Sequence, residues 1–246
     1  MRTSNPTLND KVFERAGYGA GNTMTINGTV NKVGILLLLV LVPAAYMWNQ
    51  VMSAWEPSQA LGPAILGGIG GFVVALITIF KKSWAPVTAP LYALLEGLFL
   101  GGISATYNIQ FQGLPMQAVA LTFGTLGVLL LAYRTGLVRA TENFKLGVVA
   151  ATGGIAMVYL VSIVMGLFGA RIPMIHEAGI VGIGFSLFVV VIAALNLVLD
   201  FDFIEKGSEM GAPKYMEWYA AFGLLVTLVW LYLEILRLLA KLQSRD

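Results

Sequence analysis

The 246-residue chain contains no cysteine and one histidine, His176. Disulfides, thiolate metal sites and cysteine redox chemistry are excluded, and one imidazole cannot build a histidine metal cluster. Charge is scarce as well. Asp, Glu, Lys and Arg make up 11% of the residues, outside the range of ordinary water-soluble domains. No polar stretch is long enough for a second folded domain. Neither a G-x-S-x-G elbow nor an H-E-x-x-H pair is present, so hydrolytic chemistry lacks its nucleophile or its metal. No enzymatic activity and no cofactor are expected.

What is abundant is apolar. Hydrophobic residues reach 58% and the mean hydropathy is +0.81, which marks an integral membrane protein. A helix needs roughly 20 apolar residues to cross a hydrocarbon core of about 30 Å. Seven runs qualify, at 33–53, 61–80, 87–107, 115–134, 145–168, 177–199 and 216–240. Polar or turn-forming stretches such as WEPSQALGP, KKSWAP and RTGLVRATENFK separate them. The expected architecture is all-α: a polar segment over 1–32, then a seven-helix transmembrane domain over 33–246. The first apolar run starts too late and runs too long for a short cleavable signal, so it is read as an uncleaved first span.

The Lys and Arg residues are scattered between the runs rather than gathered on one face, which argues against a nucleic-acid partner. They instead report topology. With the N-terminus inside, eleven lie on the inner side against four outside, namely Arg171, Arg237, Lys241 and Arg245. Inner loops hold the excess, so the N-terminus is predicted to be cytoplasmic, although the basic tail is discordant. Glycines four apart, Gly67 with Gly71 and Gly97 with Gly101, and the GIVGIG stretch at Gly179–Gly184, read first as close helix packing and second as the lining of a narrow path.

Acids inside these runs carry the functional question, because a carboxylate deep in hydrocarbon is costly and normally faces the bundle interior. At 1.5 Å per residue, Glu96 lies about 18 Å in from Trp84, Asp200 about 9 Å and Asp202 about 6 Å in from Lys206, and Glu234 about 30 Å along from Lys214. Glu96 is the deepest. Asn196 shares a helical face with Asp200, so Asn196, Asp200 and Glu96 can line one polar centre. Simpler readings stand beside this one. Asp202 and Glu205 suit a solvated helix end, Glu234 is placed for an intrahelical pair with Arg237, and His176 suits an exposed loop.

The seven spans, LEGLFLGG in span 3, DFDFI closing span 6, LYLEILRLL in span 7, and the openings SNPTLNDKVFERA and TINGTVNKVGILLLL together resemble the Bax-inhibitor family, including its bacterial YccA-like branch. The resemblance implies six helices around a central C-terminal seventh, in a bacterial cytoplasmic membrane. It also implies a pH-sensitive Ca²⁺ leak in which a span 6 Asp and a span 7 Asp share a proton and close the pore. Asp200 matches the span 6 position. For span 7, matching LYLE selects Glu234, whereas matching the downstream ILR selects Thr227, and Thr227 lies nearer mid-membrane. In the second register the paired acid is absent, and Glu96 is the alternative second carboxylate.

Asp200, Glu96 and Glu234 are thus the candidate gating carboxylates, with Asn196, Asp202 and Thr227 in support. Two carboxyls that share a proton form a closed latch, and losing that proton exposes oxygens of the kind Ca²⁺ prefers. Asp200 and Asp202 are then a transient Ca²⁺ stop, and H⁺ is the other candidate ion. YccA-like relatives also resemble modulators of a membrane-bound protease. On that reading the polar N-terminal segment is the recognised element and no transport occurs.

Overall fold

A computed structural model describes residues 23–54, 58–169 and 179–244; His176, Arg171, Arg245 and the polar opening stretch through residue 22 lie outside them. Seven α-helices run through the described residues: α1 (Ile26–Ala54), α2 (Ser58–Phe80), α3 (Ala85–Gln110), α4 (Leu114–Arg134), α5 (Glu142–Leu167), α6 (Ile180–Glu209) and α7 (Met216–Gln243), with a short 3₁₀ turn at Lys82–Trp84. All seven are long and apolar enough to cross a membrane. The all-α, seven-span reading therefore holds.

The two largest differences in boundary from the expectation each have a local reason. Helix α1 begins at Ile26 rather than near 33, because the Thr25 hydroxyl accepts the Gly28 N–H at 3.0 Å and caps the helix. Its first turns carry Asn27, Asn31 and Lys32, which masked them in a hydropathy reading. Helix α6 runs on past the apolar stretch that ends at 199, and past Lys206, to Glu209. Its stop signal is Gly211, at φ +65°. There the Ala212 N–H reaches the Gly207 carbonyl at 3.0 Å and the Gly211 N–H reaches that of Ser208 at 3.2 Å. This is the hydrogen-bond pattern of a left-handed helix cap. Charge alone did not end the helix.

The described residues group into two compact units. One comprises 23–115 and 202–226, the other 116–201 and 227–244. In the first, both α1 and α2 pack on α3, and glycine makes the approach possible. A Cβ on Gly97 would overlap the Val40 carbonyl and the Pro43 ring of α1, and one on Gly101 would lie 2.5 Å from the Ala44 carbonyl. On α2, a Cβ at Gly67 would meet the Leu95 carbonyl of α3 at 2.5 Å. These backbone-to-backbone contacts are what small residues permit where lipid supplies no hydrophobic drive for association. The packing reading is correct at these positions. It does not extend to Gly179, just before α6, or to Gly184 within it, where an added Cβ meets nothing within 4 Å.

The second unit is organised around Ile155 of α5 with Val189 and Ile192 of α6, flanked by Phe185, Leu195 and Trp230. Burial varies sharply among the spans. In α7, 61% of the apolar window is enclosed, against 11% in α5.

Candidate functional site

In the second unit, the continuation of α6 carries Asp200 within the helix, where its side chain is 4% exposed. The Thr227 hydroxyl of α7 hydrogen-bonds its carboxyl. The other carboxyl oxygen, Oδ2, is buried and has no hydrogen-bond partner. Buried polar atoms are almost always satisfied, so an orphan marks a functional candidate. Chemically, a carboxyl held this way can be completed by its own proton or by a passing cation, and it can exchange one for the other.

One turn earlier, Asn196 is also buried. Its amide donates to the Thr152 hydroxyl of α5 at 2.9 Å and to the Ile192 carbonyl at 2.8 Å. Asn196 thus extends the polar line of Asp200 toward α5, and its donors are engaged there.

Of the two span 7 registers, the geometry selects Thr227 as the neighbour of Asp200. Glu234 is placed elsewhere. Although 2% exposed, it receives Arg237 on both oxygens at 2.9 Å and the Tyr159 hydroxyl of α5 at 2.9 Å. Arg237 in turn donates to the Tyr159 oxygen at 2.7 Å and lies 5.3 Å from that ring's centroid. A neighbouring contact continues the polar stack, since the buried Lys241 ammonium donates to Ser186 Oγ at 2.9 Å and to the Gly182 carbonyl at 3.1 Å. The intrahelical pairing of Glu234 with Arg237 is therefore correct. The bridging roles of Tyr159 and Lys241 had no signal in spacing, because their partners lie on other helices.

In the first unit, Glu96 of α3 is 7% exposed. Tyr92, one turn back, hydrogen-bonds to it, and the Tyr92 ring stands edge-on to Phe222 with centroids 5.0 Å apart. Gly71 of α2 gives it room, since a Cβ there would sit 3.1 Å from Glu96 Oε2. Asp202 pairs with Lys206 at 3.0 Å, one turn along the same helix, and Glu205 is exposed. Glu205 is solvated as expected, whereas Asp202 is only partly exposed, and neither is the end of the helix, which continues to Glu209.

The acid that sequence reasoning passed over is Glu217, which is fully buried at the start of α7 and held by Thr25, Lys32 and Lys214. Its sequence context, MEWY, looks like an ordinary acidic first helical turn. Among the described residues no group of three or more His, Cys, Asp or Glu is placed to hold a metal ion.

The family model described as Bax inhibitor 1 like matches residues 5–244 of the chain. No curated protein and no solved structure matches it.

Proposed function

Because the chain belongs to the Bax inhibitor 1 like family, we propose that it is a multi-pass membrane protein that lets cations leak across the bilayer under the control of pH, with the Asp200 carboxyl as the switch. The observation that carries this reading is the buried Oδ2 of Asp200, which has no hydrogen-bond partner. With its proton the carboxyl is neutral and compatible with apolar surroundings. Without it, the group is an anion that a cation can satisfy.

Thr227 holds this group with a neutral hydroxyl, so the switch of this chain is built on one acid at that level rather than on an acid pair. Glu96 is a second embedded carboxyl, held by Tyr92 in its own unit, and it is the other acid whose removal is tested. The excess of Lys and Arg in the predicted inner loops favours a cytoplasmic N-terminus, and the resemblance favours a bacterial cytoplasmic membrane. Ca²⁺ is the ion the family resemblance implies.

The test is Ca²⁺ influx into vesicles carrying the purified chain, read on both sides of neutral pH, with a proton-sensitive dye in parallel. Wild-type influx is expected to rise with pH. Asp200→Asn should flatten that dependence, and Glu96→Gln should lower the flux. Unchanged pH dependence in Asp200→Asn overturns the switch. An absence of wild-type flux at every pH overturns the leak itself and leaves a partner-binding role without transport.

A further inference from the structure

Within the first unit, the strongest concentration of polar contacts lies where α1 and α7 both begin. Glu217 is 0% exposed, yet each carboxylate oxygen is engaged. Oε1 accepts the Thr25 N–H at 2.9 Å, the Thr25 hydroxyl at 3.0 Å and the Lys214 ammonium at 2.8 Å. Oε2 accepts Lys32. The stretch entering α1 is held to the α6–α7 loop at two further points. Met24 N–H donates to the Ala212 carbonyl at 2.7 Å, and Thr23 bridges to Pro213.

In a capping box, a Ser or Thr at the helix start bonds the amide three residues on, and a Glu at that third position reaches back to the cap's own amide. Helix α1 has half of this device. Thr25 bonds the Gly28 amide, but residue 28 is glycine and has no side chain to return. The returning carboxylate is Glu217 of α7, and it fills the place that a residue 28 side chain would take, because a Cβ on Gly28 would overlap the Glu217 carboxylate. The same carboxylate lies in the first turn of α7, where it also complements that helix's positive end.

We propose that Glu217 completes the capping box of α1 in trans, and that this shared carboxylate is a strap fastening the start of α1 to the start of α7, with Lys32 and Lys214 as its counter-ions. The strap does not depend on the leak reading. Its work is conformational: while Glu217 is held, neither helix start can shift without breaking the cap of the other.

The experiment uses the full chain in lipid nanodiscs with two readouts, amide exchange over residues 23–32 and the spin-label distance between Val30→Cys and Glu209→Cys. Glu217→Ala is expected to speed exchange at Thr25 by about fivefold or more, the scale of a lost cap, and to broaden the distance distribution. The double variant Glu217→Ala with Gly28→Glu moves the carboxylate into the cis position. It should restore the slow exchange and leave the distance broad. Lys32→Met is the milder variant should either of these fail to fold; it removes one counter-ion of Glu217, and it should speed exchange at Thr25 and broaden the distance together, each less than Glu217→Ala does. Unchanged exchange and distance in Glu217→Ala overturn the strap, and so does a narrow distance in the double variant or in Lys32→Met.

Discussion

Thr227 of α7 hydrogen-bonds the carboxyl of Asp200 on α6, and this bond leaves Oδ2 of Asp200 buried without a partner. Among the described residues, this hydroxyl is the side-chain group seen to hold the buried Asp200 carboxyl. Thr227→Val keeps the shape and deletes that bond, which should cost about 1–3 kcal/mol for a buried group left unsatisfied. Thermal unfolding in detergent, compared with Thr227→Ser, measures it. Equal melting of the Val and Ser variants would show that the hydroxyl contributes nothing.

Glu234 and Arg237 form a pair of unequal exposure, with side chains 2% and 38% accessible. Removing the cation strands a buried anion, so Arg237→Gln should destabilise by about 3–5 kcal/mol. Glu234→Gln strands nothing of the kind, because Arg237 can turn to water and Tyr159 keeps an oxygen to bond. The loss in Glu234→Gln should therefore be the smaller, and a double-mutant cycle on unfolding midpoints gives the coupling directly. A larger loss in Glu234→Gln would contradict this assignment.

Helix α3 offers a paired test of the glycine contacts. Gly97→Ala forces a Cβ into the Val40 carbonyl and the Pro43 ring, an overpacking expected to cost about 1–3 kcal/mol. Gly147→Ala in α5 meets nothing within 4 Å and should instead gain up to about 1 kcal/mol from helix propensity. Opposite signs in the two melting shifts are the expected result.

Asp202 and Lys206 are both partly exposed, at 16% and 31%. Solvent screens such a pair, so Asp202→Asn should change stability by no more than about 1 kcal/mol. If Asp202 also works as a transient stop for Ca²⁺, its substitution lowers flux without moving the melting point, and vesicle influx measured beside unfolding separates the two effects.

Apolar runs of about 20 residues made the number of spans readable, because crossing a bilayer demands that length and little else. The end of α6 was not readable from charge, since Asp202, Glu205 and Lys206 sit comfortably on a continuing helix. The Gly211-Ala212-Pro213 signal that ends it lies beyond them. Depth along the helices correctly favoured Thr227 over Glu234 as the neighbour of Asp200. It said nothing about Tyr159, Thr152 or Ser186, whose contacts depend on how helices rotate about their axes. Glu217 was missed for a related reason: its partner Thr25 is 192 residues away in the chain, and half a capping box ending in glycine does not announce where the missing carboxylate will come from.

The uneven enclosure of the spans sets how freely each can drift in sequence. Most side chains of α5 meet acyl chains, which do not distinguish Leu from Val, Ile or Phe by shape, so neutral exchange among these residues should accumulate there. In α7, where Leu225, Leu231 and Leu236 are almost fully enclosed by other side chains, the same exchanges alter a fixed volume. A saturation library scored for folded protein should find α5 permissive and α7 restrictive at the same overall hydrophobicity.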